Sequence, residues 1–138
     1  MGWRGFSRWF DRHIFLGYWL PAVTYAVSIS VFSSMPRPPE APGVELVPFY
    51  SSFAHMLVFA GFSAVLFFAL DSSTHGNMKR LCPLFALLIT FAYGLTEEIH
   101  QHYVPGRTMD MADALVDLIG ATMAQLMIVV ERRLVFRK

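Results

Sequence analysis

The chain has 138 residues, 55% of them hydrophobic and only 15% charged, with a formal net charge of +1. An average soluble domain carries about 25% charged residues, so this chain is too poor in charge to surround an ordinary soluble core. Its near-neutral balance also argues against a nucleic-acid binder or an acidic tail, and its single cysteine, Cys82, excludes an intrachain disulfide and a cysteine-based metal site.

The first twelve residues carry Arg4, Arg8 and Arg12, with Trp3, Phe6 and Trp9 near one helical face, a pattern suited to an interfacial helix. An apolar run follows over about 14–34. It is longer than the apolar region of a signal peptide and no A-x-A-like site follows it, so it is expected to stay as a first membrane helix. Three more apolar segments cover about 52–70, 81–101 and 111–130. Each is close to the ~20 residues that a helix rising ~1.5 Å per residue needs to cross a ~30 Å hydrocarbon layer. None shows the strict alternation of a strand, and backbone groups in lipid must be satisfied internally, so helices are predicted throughout. The expected fold is an all-α, integral membrane four-helix bundle forming one domain over 1–138.

The connections are a proline-rich stretch, MPRPPEAPGVELVPF (35–49), a polar turn, DSSTHGNMKR (71–80), and a Pro-Gly loop, HYVPGRTMD (102–110). Nine of the eleven lysines and arginines fall on the N-terminal flank, the 71–80 turn and the C-terminal tail, leaving Arg37 and Arg107 on the other side. The positive-inside rule then places both termini in the cytoplasm and the loops 35–51 and 102–110 outside.

That topology gathers the chain's odd polar residues at the outer end. His55 starts the second helix, Glu97, Glu98 and Gln101 end the third, and Ser33 and Ser34 close the first. Asp110, Asp113 and Asp117 follow the i, i+3, i+7 spacing of one helical stripe, with Gly120 and Ala121 continuing near it as small residues that let another helix approach. Gly94, Glu98 and Gln101 form a facing stripe. Asp117 is expected about 10 Å deeper than Asp110. A carboxylate at the bilayer centre costs roughly 2.5–3.5 kcal/mol, so an acid here should face the bundle and find a partner.

Asp110 also suits the N-cap of the fourth helix. Glu97, turned 100° from Glu98, is expected to be a solvated interfacial acid, and at least one of His100 and His102 to be exposed. Arg107, held by Pro105-Gly106, could pair with Glu98 or Asp113, or present its planar fork to a phosphate or carboxylate. Carboxylates with a histidine also suit a divalent cation, but the spacing matches no standard metal motif and no resident metal or cofactor is expected.

The run TEEIHQHYVPGRTMDMADALVDLIGA (96–121), with SSMP (33–36) and the histidine of SSFAHMLVF (51–59), resembles the VanZ-like family of small bacterial membrane proteins. Glu98, His100, Gln101, Pro105, Gly106, Arg107, Asp113, Asp117 and Gly120 fill the family's pattern, and the match spans most of the chain. One departure is Ser51-Ser52-Phe53, where the family commonly carries Asp-Lys before the helix-two histidine. The resemblance implies a four-helix membrane protein linked through its namesake to glycopeptide resistance, especially to teicoplanin.

Three functions compete. The outer cluster could bind or modify an amphiphile such as a phosphate-bearing membrane lipid or a lipid-linked envelope precursor. His55, Glu98 and Asp113 are then candidates for acid–base work, and Arg107, Gln101, Asp117 and Ser34 for ligand binding, with Pro105, Gly106, Asp110 and Gly120 as structural supports. Alternatively, the chain is a non-enzymatic envelope or partner-binding protein whose polar groups only lock the bundle. An ion path ranks last, because the inner half offers little beyond Thr90, Thr122 and Gln125.

Overall fold

In a computed structural model the chain is described over residues 13–36 and 48–135, with the side chains of 48–51 excepted. The arginine-rich N-terminal stretch and residue 43, where an added cysteine would report the sidedness of the first loop, lie outside these residues. The described residues are all-helical: α1 (Leu20–Ser33), α2 (Pro48–Ser73), α3 (Cys82–Gln101) and α4 (Met111–Val135). Four spans are long and apolar enough to cross a membrane, so this is a multi-pass membrane protein.

Local chemistry explains the differences from the expected boundaries. A π-helical turn, Phe15–Trp19, precedes α1, and Pro21 sits in the first turn of α1 itself. Proline supplies no N–H and crowds the carbonyl four residues back, and a widened turn relieves that crowding. Helix α2 is longer than expected at both ends. Proline at its first position, Pro48, lacks an N–H that would have no helical partner there. Its last turn is kept by Ser72 and Ser73, whose hydroxyls donate to the Ala69 carbonyl, each at 2.9 Å. The polar turn shrinks accordingly to a 3₁₀ segment, Gly76–Leu81, leading into α3.

Helices α2 and α4 form the tightest pair. At Gly120 a Cβ would lie 2.1 Å from the Met56 carbonyl oxygen, so only glycine permits this crossing. Helix α3 packs on both through a single stripe: Cys82, Ala86, Thr90, Gly94, Glu98 and Gln101 are all buried. The buried face of α3 is small and apolar towards Cys82 and polar towards Gln101. The apolar core joins Phe59, Phe62, Leu66 and Phe67 of α2 to Ile29, Cys82 and Ala86. Cys82 is thus a buried free thiol.

Two ties hold the apolar half. The Gln125 amide donates to the carbonyl and hydroxyl of Ser63 at 2.9 and 2.8 Å. At the helix ends, Arg132 grips Asp71 bidentately at 3.1 and 2.7 Å, lies over the Phe67 ring, and is joined by Lys79. Helix α1 is the least buried of the four spans. It is pinned at one end by Trp19, whose indole N–H donates to Ser73 Oγ at 2.7 Å, and midway by Tyr25, whose hydroxyl donates to the Val58 carbonyl at 3.0 Å. Between these ties and the polar end, α1 stands off from α2 and leaves a cleft.

Candidate polar cleft

The 102–110 loop positions the polar end. Val104 to Arg107 closes a turn with a 3.1 Å backbone hydrogen bond, and Gly106 takes φ 76° at its third position. Proline then left-handed glycine is the chemistry of a type II turn, and it delivers Arg107 over the bundle. The Arg107 guanidinium donates to the carbonyls of Phe32 and Met35 at 3.4 Å each. These bonds set it at the carbonyl end of α1, where a cation meets the negative pole of the helix.

Asp110 caps α4: its Oδ1 accepts the Ala112 N–H at 2.8 Å. Its own N–H donates to Glu98 Oε2 at 2.9 Å, so Glu98 reaches across from α3 and clasps the start of α4. Ser33 Oγ, Glu97 Oε2 and Glu98 Oε1 are buried with no hydrogen-bond partner among the described residues.

The three aspartates differ in setting. Asp110 is exposed, Asp113 half-buried and Asp117 buried. The buried stripe of α4 runs through Ala114, Asp117, Gly120 and Ala121, and Asp113 shares that face one turn nearer the loop, where it is half-buried. The Ser52 hydroxyl donates to Asp113 at 3.4 Å, at the position where the family commonly carries a charge pair. Deeper, His55 Nδ1 and Asp117 Oδ1 are 3.3 Å apart. His55, Glu98 and Asp117 each bring one ligand-capable atom into the same neighbourhood, all within 4.8 Å of one another.

One expectation needs correction. Glu97 is buried, 6% exposed, not a solvated acid. The 100° step from Glu98 turns it towards α1, where the Ser30 hydroxyl donates to it and the Tyr93 hydroxyl lies 2.7 Å from Ser30 Oγ. Ser34 is exposed and faces away from the cleft: its hydroxyl bonds the Ser30 carbonyl at 2.6 Å and lies 2.9 Å from His100 Nε2. Its neighbour Ser33, one helical step round, is the serine that lines the cleft. His100 and His102 are both exposed.

The cleft encloses about 770 Å³. Leu16, Leu20, Ile29 and Phe32 wall it on the α1 side, Val58 and Phe59 on the α2 side. His55, Glu97, Glu98, Gln101, Arg107 and Asp117 close its polar end. Thus five of the candidate residues, His55, Glu98, Gln101, Arg107 and Asp117, meet in one cavity, while Asp113 and Ser34 lie outside its lining. Glu97 and Ser33, placed at this end by the sequence but given no site role there, also line the cleft, and Thr24, Tyr25 and Ser28 join them with no sequence signal.

No curated protein and no solved structure gives a significant match to the chain. A family model, VanZ/LLP1, matches residues 13–132. That range takes in the first three spans, the fourth as far as residue 132, and every residue at the polar end of the cleft, and on this match the chain belongs to the VanZ-like family.

Proposed function

We propose that the cleft binds, and is built to present or modify, an amphiphile with a phosphate-bearing headgroup, such as a membrane lipid or a lipid-linked envelope precursor. The observation that carries this reading is one cavity of about 770 Å³ with an apolar length and a buried polar end. That volume lies in the ~300–1,000 Å³ range of small-molecule sites. An acyl chain fits between α1 and α2, and the headgroup meets His55, Glu98, Gln101 and the positive charge of Arg107 at the mouth. Orphaned oxygens on Glu97, Glu98 and Ser33 supply acceptors that a headgroup hydroxyl or ammonium would satisfy. His55 and Glu98 are the candidates for proton transfer, while Asp113 acts from the rim.

Val58 tests this directly. It lines the cleft and is 38% exposed, so Val58→Trp adds bulk without overfilling the core. In nanodiscs the variant should bind a photoactivatable phosphatidic acid at least about tenfold more weakly, roughly 1.4 kcal/mol, at an unchanged melting temperature. Undiminished labelling would sink the cleft as the binding site. The link of the family's namesake to teicoplanin resistance makes glycopeptide susceptibility of an expressing bacterium the phenotype to score beside it.

The polar end is proposed to face outward across a bacterial cytoplasmic membrane, supported by the lysine and arginine asymmetry. Tyr103, 78% exposed in the 102–110 loop, offers the test. A Tyr103→Cys variant should react with a membrane-impermeant maleimide on intact cells, with buried Cys82 silent as the internal control. Labelling only after lysis would reverse the orientation.

The alternative is that the polar groups merely lock the helices. The Glu98–Asp110 clasp and the Ser30–Glu97 bond favour that reading for part of the network.

A further inference from the structure

The headgroup reading leaves an electrostatic difficulty. Among the described residues lining the polar end, Glu97, Glu98 and Asp117 bring three carboxylates against one arginine, Arg107. An anion entering there meets more like charge than opposite charge. The geometry points to the remedy: we propose that His55, Glu98 and Asp117 hold one divalent transition-metal ion, of the zinc type, at the head of the cleft.

Three observations carry it. First, a nitrogen and two carboxylate oxygens from three different helices lie within 4.8 Å of one another, so a side-chain shift of about 1.5 Å brings the widest pair to the ~3.3 Å spacing of a tetrahedral site. One histidine with two carboxylates is a donor set that zinc and related ions accept, and three protein ligands leave a position open for an exogenous one. Second, the His55 Nδ1 to Asp117 Oδ1 distance is 3.3 Å. That is long for a hydrogen bond, whose usual N···O range ends at about 3.2 Å. Two ligands bound tetrahedrally at ~2.0–2.1 Å from one ion stand about 3.3 Å apart. Third, Glu98 is 1% exposed and carries a buried oxygen without a partner. Its other oxygen is fixed by the Asp110 N–H, which steadies the carboxylate, as outer hydrogen bonds steady metal ligands elsewhere.

The ion's place in the function rests on the headgroup reading: its open position would accept a phosphate oxygen and turn an acidic pocket into an anion site. The cation site itself does not depend on that reading.

The test uses the full-length, untagged chain in a non-ionic detergent, stripped with chelator and titrated with Co²⁺. One equivalent per chain should produce the intense visible absorption of a four- or five-coordinate ion, displaced by Zn²⁺. His55→Gln and Asp117→Asn should each weaken binding at least about a hundredfold, while His100→Gln and Asp71→Asn change nothing. Equal binding by the site variants, or only the faint spectrum of a hydrated ion, overturns the site. If the site variants do not fold, the wild-type spectrum alone decides, by the same criterion.

Dodecyl phosphate then separates the two ideas. Binding at least about tenfold tighter with Zn²⁺ than without supports both. Binding that ignores the metal overturns the ion's role at the headgroup and leaves the cleft standing. Co²⁺ binding with no dodecyl phosphate binding in either state overturns the headgroup reading and leaves the cation site standing.

Discussion

Gly120→Ala should destabilise the protein by about 3 kcal/mol and separate α2 from α4, although alanine is the better helix former. In an exposed helix the substitution would gain about 1 kcal/mol. Here the new methyl would fall 2.1 Å from the Met56 carbonyl oxygen and 2.9 Å from its carbon. The obstacle is backbone, which cannot turn aside like the end of a side chain, so the helices themselves must move. Overpacking typically costs about 1–3 kcal/mol, and a backbone clash belongs at the top of that range.

The same displacement reaches the site. Met56 adjoins His55, and Gly120 lies one turn below Asp117, so a wider crossing pulls His55 Nδ1 away from Asp117 Oδ1. Thermal unfolding in detergent checks the stability, with Ile119→Ala, 53% exposed, as a near-neutral control. A melting temperature equal to wild type would mean that the helices cross elsewhere.

What sequence could show depended on whether the signal lay along one segment. The spans needed only apolar length, and the hairpin from Glu97 to Asp113 is contiguous, so both were readable from residue order. Helical periodicity then gave angles between neighbours, but not which helix each angle faces. Periodicity therefore predicts a solvated acid at Glu97: its 100° offset from Glu98 is right, yet α1 occupies that direction and offers Ser30.

The His55, Glu98 and Asp117 convergence has no spacing to find, because its members come from α2, α3 and α4. Nor did charge counting reveal the Asp71–Arg132 tie, since basic residues at helix ends carry the topology signal as well. The cleft is the least legible feature of all. It arises because α1, pinned by Trp19 and Tyr25, packs loosely against α2, and no single residue announces a loose helix.

Glu98 separates function from support, and its two substitutions should diverge. The carboxylate does two things: Oε2 accepts the Asp110 N–H at 2.9 Å, and Oε1 is left buried without a partner. Glu98→Gln keeps an amide oxygen for the Asp110 N–H and keeps the volume, so the clasp on α4 survives and stability changes by less than about 1 kcal/mol. What it removes is the charge offered to the cleft. Charged hydrogen bonds contribute about 1.5–3 kcal/mol, so binding of an amphiphile whose phosphate-bearing headgroup also carries an ammonium for this carboxylate, such as phosphatidylethanolamine, should fall about tenfold to 150-fold at a near-normal melting temperature.

Glu98→Ala loses both roles. The Asp110 N–H forfeits its acceptor next to the helix N-cap, and a space opens beneath the loop, so about 2–3 kcal/mol of stability should go together with binding. If Glu98→Gln binds phosphatidylethanolamine as tightly as wild type while Glu98→Ala unfolds, the carboxylate is a clasp and nothing more, and the locking reading replaces the binding one. A folded glutamine variant with an idle cleft leaves the headgroup, not the bundle, as the reason for the buried charge.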